Sequence, residues 1–552
     1  MIELFISVII PWIITAFLIV VFLSFLYYIP RLLVQFIRMP LFVKLVVIVA
    51  LVAGVLVRFY WVPNVHRIYY DEDRYLSYAV TFARFGEAKS IEYATQTKLV
   101  KGTPDKAIRL TVPVINAWGM KLFGYTENTL FIIAKIFSSF QILLLLILAY
   151  QLFKSHTAAL VSALGMALLP GPVFWSPSLN LDSYFVFFAL LSFVATGLYA
   201  KKATVINGAL LIASLFLLLC VRLEAFLFIP IFIWALFIIR REPQVQFITK
   251  ADIPHIVFGS TFIGLRALAS ISVVNQQWCC ADALPIEAFY PSYFIRNLLP
   301  NLLQLFTRIE FPFVITILAI ISIVRMQNKK VALLTLWFLS YFILYSLYYA
   351  GMLYSEEFSG SYGRYFLILI PPLLMLAGHT VWLLQKYIEK LSLIRKIVYI
   401  SLFIGVFVTL SFGTFASYRT LVSTSPYYRG VDEGPAFIHS YTEHYLAPNT
   451  PKDSIILTSM TAYFAMIGRT TGLAGLFIDD IEIRDLVLSK LKAGKRVFSV
   501  FPYQCSVDPK ACDKISKYVD YYPVKTKKEP PAGSYFAEIK LNSATPSGAL
   551  KK

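Results

Sequence analysis

Charged residues make up only 15% of this 552-residue chain, against about 25% in a soluble domain. With 58% hydrophobic residues and a mean hydropathy of +0.69, that shortage excludes an ordinary soluble globule. Cysteine is scarce too: five residues are too few for a disulfide scaffold. There is no zinc-ligand spacing, no Walker-type glycine-rich loop and no run of aromatics interleaved with basic residues, which argues against nucleic acid as a partner. No Asn-x-Ser/Thr sequon occurs, so nothing marks the chain as N-glycosylated. Acids are outnumbered by bases, giving a formal charge of +19. In a membrane chain the positive-inside rule accounts for part of this excess, and attraction to anionic lipid or lipid phosphate accounts for more.

What the chain does have is a recurrence of apolar windows of about 20 residues, the length a bilayer-spanning helix requires. Residues 2–29 form the first; it carries Glu3 in place of a basic flank and is too long for a signal peptide, so it reads as an uncleaved span. A basic connector with Arg31, Arg38 and Lys44 leads to a second span at about Leu41–Tyr60. Further spans are predicted near 131–153, 157–176, 181–199, 205–221, 225–240, 254–273, 309–325, 331–350, 365–384 and 396–417. The result is a polytopic α-helical membrane protein with about twelve transmembrane helices. Alternate connectors are short and basic, carrying Lys154, Lys201 with Lys202, Arg240 with Arg241, Arg325 with Lys329 and Lys330, and Lys386 to Lys396. The positive-inside rule places them in the cytoplasm and both termini outside. The expected division is 1–39 as an extra N-terminal span with its connector, 40–417 as the membrane body, and 418–552 as a small extracytoplasmic α/β domain with a disordered tail.

The loop at 61–128 opens with Tyr69-Tyr-Asp-Glu-Asp-Arg-Tyr-Leu-Ser-Tyr78. Asp71 or Asp73 reads equally well as an N-cap of the helix that follows. Tyr75, Ala79, Phe82 and Ala83 give that helix one apolar face, and Thr103-Pro104-Asp105 reads as the start of a second helix ending at Gly124. Two interfacial helices would then form a lid on the outer surface. In the C-terminal part, Ser454–Ser459, Arg496–Phe501 and Tyr535–Leu541 read as strands, and Ile481–Leu491 and Cys512–Val519 as helices. Cys505 and Cys512 flank a short loop outside the cytoplasm, where a bridge would persist. Cys220 reads as core, and the pairing of Cys279 and Cys280 is open.

Charged residues gather at the predicted outer ends of spans: Asp182, Arg222 with Glu224, and Arg364 with Tyr365, besides Lys98, Lys101 and Arg109 in the loop. Singly, each has a plainer reading: Asp182 as an N-cap, Arg222–Glu224 as an ion pair, Arg364 as a headgroup anchor. Together they put several acids and bases on one side of the membrane. Sugar transfer to a hydroxyl needs such a set, a carboxylate to take the proton and cations to stabilise a departing phosphate. The cytoplasmic connectors are too short for a nucleotide-sugar domain, so the donor is expected to be lipid-linked.

The order of these motifs resembles the GT-C glycosyltransferases of the type that includes protein O-mannosyltransferases and the lipid A aminoarabinose transferase. It runs Asp71-Glu72 with Tyr75, Lys121-Leu-Phe-Gly124, Asp182 before an aromatic span, Arg222-x-Glu224, and Arg364-Tyr365 through Pro371, over about residues 40–385. The resemblance implies inverting transfer from a polyprenyl-phosphate sugar to an envelope glycan, lipid or protein. Asp71 would be the base, with Glu72 beside it and Asp182 a second active-site acid. Arg364 would hold the donor phosphate, with Tyr365, Lys101, Arg109 and Arg222 as further candidates for the lipid phosphate. Arg74, Tyr75 and Glu224 would support the site. Three features depart from the family: the extra N-terminal span, Leu110-Thr111-Val112-Pro113 in place of a Pro-Pro pair, and a C-terminal domain without a recognisable sugar-binding signature. No cofactor is expected to be required, although Asp71, Glu72 and Asp182 are acids of the kind that hold Mg²⁺ or Mn²⁺. Competing readings are a flippase or transporter for a lipid-linked precursor, which would call for internal repeats and midplane charges, and a non-catalytic assembly scaffold.

Overall fold

A computed structural model of the chain describes residues 2–240, 252–274, 291–307, 311–325, 328–348, 361–388, 446–458, 461–502, 518–524 and 534–542, apart from 65, 67–68 and 106 and with isolated positions at 397 and 401. Among the described residues, seven helices are long and apolar enough to cross a membrane. They are α1 (Ile2–Arg38), α2 (Leu41–Trp61), α5 (Glu127–Phe153), α7 (Leu181–Lys201), α9 (Leu223–Arg240), α13 (Lys329–Leu347) and α14 (Arg364–Ile388). Shorter helices among the described residues join them: α6 (His156–Leu168), α8 (Val205–Leu219), α10 (Ile253–Val274), α11 (Pro291–Thr307) and α12 (Phe313–Val324). In the first loop lie α3 (Tyr69–Phe85) and α4 (Thr111–Phe123). The chain is a multi-pass membrane protein.

Local chemistry explains several boundaries. Thr126 caps α5 by accepting from the Thr129 amide, and Thr204 caps α8 by accepting from Asn207. The predicted span 157–176 stops early, at Leu168. Leu169 takes an extended ψ of 138° ahead of Pro170, as a residue before proline does. The predicted span at 396–417 lies outside the described residues. Helix α11 was not foreseen as an element. It turns Asn297 and Asn301 inward and leaves Ile295 and Leu299 exposed, the pattern of a helix with lipid on one side and polar neighbours on the other.

The most enclosed span is α7, with 89% of its apolar window buried. Its Phe193 stacks on Trp337 of α13 at 4.5 Å and meets Phe232 of α9 at 4.4 Å. By contrast, α1 and α2 expose Phe22, Leu41, Phe42 and many other apolar side chains, as lipid-facing helices do. Two buried cations brace the entry to the loop. Arg58 donates to Ser138 Oγ and to the carbonyls of Gly54, Met166 and Ala167, so it closes the C-terminal end of α6. Lys135 donates to the Val62 carbonyl at 2.7 Å.

The first loop differs from the predicted lid in two ways. Residues 89–94 and 99–104 form a β-hairpin, β1 (Lys89–Ala94) and β2 (Leu99–Pro104), so Thr103-Pro104 ends a strand and the second helix starts only at Thr111. Neither helix lies free on a surface: nine residues of α4 are buried, and so is nearly all of α3 from Tyr75 to Ala83. The C-terminal strands are β3 (Ile455–Thr458), β4 (Thr470–Leu473), β5 (Val497–Pro502), β6 (Val519–Pro523) and β7 (Ser534–Leu541). All seven strands make one mixed sheet in the order β2-β1-β4-β3-β5-β7-β6, with β1 joined antiparallel to β4 at Tyr93–Gly472 and Ala94–Thr471. The hairpin is thus part of the C-terminal sheet. Two short helices flank it: α15 (Thr461–Met466), which packs on α3, and α16 (Ile481–Lys492), capped by Asp480 and followed by Gly494 at φ 77°. Val519 belongs to β6 rather than to the end of a helix; Cys505, Cys512, Cys279 and Cys280 lie outside the described residues. Cys220 is buried core.

Helices α6 and α14 pack closely at Gly378, where a Cβ would stand 2.5 Å from the Ala158 carbonyl and 3.0 Å from Ser162 Oγ. Gly378→Ala is therefore expected to splay this crossing and cost about 1–3 kcal/mol, read as a lower melting temperature in detergent; an unchanged melting temperature would refute the tight approach.

Candidate active site

Four elements converge at one end of the bundle: the first turn of α3, the first turn of α7, the residue before α9 with the first turn of α9, and the first turn of α14. They carry Asp71, Asp182, Arg222 with Glu224, and Arg364. Arg364 Nη2 donates to Asp71 Oδ2 at 2.7 Å, and its Nε lies 3.6 Å from Asp182 Oδ2. Asp182 also pairs with Arg222, whose other nitrogen lies 3.4 Å from Glu224. Arg364 therefore sits between two carboxylates, and Asp182 between two guanidinium groups. Asp182 is no helix cap, since Asn180 does that work by accepting from the Leu181 amide. Nor is Arg364 a headgroup anchor: its side chain is 8% exposed, beside 4% for Asp182.

Asp71 differs from the others, with 44% of its side chain open. Burial pushes its carboxyl up, but the charges of Arg364, Arg109 and Arg74 outweigh that and hold it below the ordinary 3.8. Arg109 is itself bound to Asp105, at 3.2 and 3.3 Å, and lies 5.4 Å over the Tyr75 ring. Arg74 donates to the Tyr78 hydroxyl at 3.2 Å and remains exposed. Tyr365 accepts from Arg364 at 3.1 Å, lies under both Arg222 and Arg364, and stacks on Tyr345. Arg364 Nη1 has no partner among the described residues. A buried guanidinium with an unused donor, held beside an open carboxylate, is equipped to take an oxyanion.

Two predicted residues lie elsewhere. Lys101, on β2, pairs with Asp480 at 2.6 Å and Glu482 at 3.3 Å, and so ties the hairpin to α16 rather than joining the cluster. Glu72 points away from Asp71 into the protein. There it meets His66 Nδ1 at 2.6 Å and accepts from Ser178 Oγ at 2.6 Å and the Leu179 amide at 3.2 Å. The helical period explains the turn, because adjacent residues on a helix do not face the same way. Among the described residues, no three His, Cys, Asp or Glu side chains gather as a metal-binding group. His66, Ser178 and Tyr345 escaped the sequence reading; His66, six residues before Glu72, carried the one usable signal, a rare histidine beside an acidic stretch.

Two crystal structures of ArnT from Cupriavidus metallidurans match the chain over nearly their whole length. The one bound to undecaprenyl phosphate superposes with a TM-score of 0.54 at 12% identity, covering 90% of this chain and 98% of ArnT. The apo form gives 0.52 at 14%, covering 90% and 97%. The chain has the ArnT fold. It shares that fold over most of its length with little of the sequence in common. No family model and no curated protein matches the chain.

Asp182→Asn is expected to leave Arg222 and Arg364 without their shared carboxylate and to cost roughly 3 kcal/mol of stability. Lys101→Ala, which breaks a half-exposed pair, should cost less than about 1 kcal/mol. Thermal unfolding of the two variants in detergent checks the contrast, and equal effects would refute it.

Proposed function

We propose that the protein is a membrane glycosyltransferase that moves a sugar from a polyprenyl phosphate to a hydroxyl of an envelope glycan, lipid or protein. The observation that carries this reading is the open Asp71 carboxylate bonded to a buried Arg364 that keeps a donor free. The ArnT fold, seen in a relative bound to undecaprenyl phosphate, supports a lipid-phosphate donor. The basic connectors support a site on the extracytoplasmic face.

In this mechanism the donor phosphate takes Arg364 and Arg222, and Asp71 is released to the acceptor. Asp71 accepts the hydroxyl proton as the acceptor oxygen attacks the anomeric carbon from the face opposite the phosphate. The bond from that carbon to the phosphate oxygen breaks, and its electron pair leaves with polyprenyl phosphate, whose charge the guanidinium groups stabilise. One bond forms, one breaks, and the anomeric configuration inverts. Tyr365 holds the two guanidinium groups in place, and no step requires a metal.

Turnover of synthetic polyprenyl-phosphate sugars by the purified protein tests the class. Release of polyprenyl phosphate is expected from the wild type, with a fall of about 10²–10⁴-fold in Asp71→Asn. Absence of turnover with every donor, alongside equal lipid binding by wild type and variant, would favour transport. The pH profile tests the exchange of partners. In the free protein the Asp71 pKa is depressed, so the base stays ionised until pH falls below about 3.8, and kcat/KM keeps its acid limb there. In the donor complex the phosphate draws Arg364 away, so the acid limb of kcat lies at higher pH. Coincident limbs would overturn the exchange.

A further inference from the structure

Glu72 stands next to the base in sequence and was expected beside it in the site, yet its carboxylate is fully buried on the opposite side of α3. There it belongs to a network outside the phosphate cluster. His66, from the segment before α3, sits between Glu72, at 2.6 Å, and Glu127 in the first turn of α5, at 3.3 Å. The other Glu72 oxygen accepts from Ser178 Oγ and from the Leu179 amide. Ser178 Oγ in turn accepts from the Asn180 amide at 3.2 Å, and Asn180 caps the helix whose second residue is Asp182. Burial lowers the affinity of the His66 imidazole for a proton, but the two glutamates outweigh it and raise its pKa to about 10.

Two chains of contact therefore leave Glu72. One is a single peptide step to Asp71, and the other passes through Ser178 and Leu179 to the start of α7 and Asp182. These are the two carboxylates between which Arg364 is held. We propose that Glu72, held by His66, is a positioning residue that fixes the turn at 178–182 against α3 and so sets the separation of Asp71 and Asp182 across Arg364. This rests on the glycosyltransferase reading only for its effect on turnover; the clamp itself stands on geometry. The Glu72 carboxylate is fully buried and bonded to two protein donors and an imidazole, so it acts through other residues rather than on substrate.

The test compares Glu72→Gln with Glu72→Ala in the full-length protein. A glutamine keeps an acceptor oxygen for Ser178 and Leu179, whereas alanine removes it. Hydrogen exchange of the peptide covering 178–182 is expected to quicken at least about tenfold in Glu72→Ala, to change little in Glu72→Gln, and to fall between in Ser178→Ala. Turnover with the donor found active should drop about 10²-fold in Glu72→Ala, as a displacement of about 1 Å does. It should drop less than about tenfold in Glu72→Gln, with the KM for that donor and the binding of undecaprenyl phosphate within about threefold of wild type. Unchanged exchange in Glu72→Ala would overturn the clamp whatever the activity. A Glu72→Gln variant as inactive as Asp71→Asn, with normal exchange at 178–182, would overturn it in favour of direct action on substrate. If Glu72→Ala fails to fold, Ser178→Ala and Glu72→Gln decide by the same two readouts. If the wild type turns over no donor, the glycosyltransferase reading fails and the exchange measurement still decides the clamp.

Discussion

The site depends on one buried cation. Arg364 enters the protein at the start of a membrane helix, where an uncompensated charge is costly, and two carboxylates from different elements compensate it. Because those carboxylates come from α3 and α7, the ion cluster ties the loop to the bundle at the place where the chemistry is proposed. Arg58 gives the contrast. It is equally buried, but it is satisfied by carbonyls and a hydroxyl within the bundle, so it closes a helix end and offers a ligand nothing. Arg364 is paired on two sides and keeps Nη1 unused. That difference separates a structural cation from one fitted for an anion.

Around this cluster the charges are arranged in pairs that share members. Arg222 bridges Asp182 and Glu224, Arg109 is held by Asp105, and Tyr365 lies under two guanidinium groups. Truncating one partner strands another, which is why such networks respond strongly to single changes. Among the described residues of the network, Asp71 has the most open carboxylate.

The C-terminal part is joined to the same helix. The hairpin from the first loop completes the C-terminal sheet, Thr461 donates to the Ile91 carbonyl, and the Ala462 amide donates to Asp73. Burial raises the Asp73 carboxyl to about 8. Arg84 adds a bond from α3 to the Met466 carbonyl at 2.7 Å. Helix α3 is thus packed between α4 and the C-terminal part, and the carboxylate that the mechanism uses projects from its first turn.

The chain by itself determined the class of fold, because apolar runs of bilayer length and alternating basic connectors are local properties that need no partner to be recognised. Strands at 455–458 and 497–502 and the helix stopped by Gly494 were legible for the same reason, as were Asp71, Asp182, Arg222 and Arg364 as charges at span ends. Tertiary structure decided what those charges do. Helices α3 and α4, which read as an open lid, are buried against each other, α3 also against the hairpin and α15, and α4 against α1 and α5; the hairpin itself pairs with a strand more than 350 positions away in sequence. That pairing turned Thr103-Pro104 into a strand end and drew Lys101 toward Asp480. Adjacent acids read as one motif, but a helix turns neighbouring side chains apart by about 100°, so Asp71 faces the opening while Glu72 reaches Ser178. Sequence shows which groups are ionisable; only packing decides which of them are left with a free hydrogen bond.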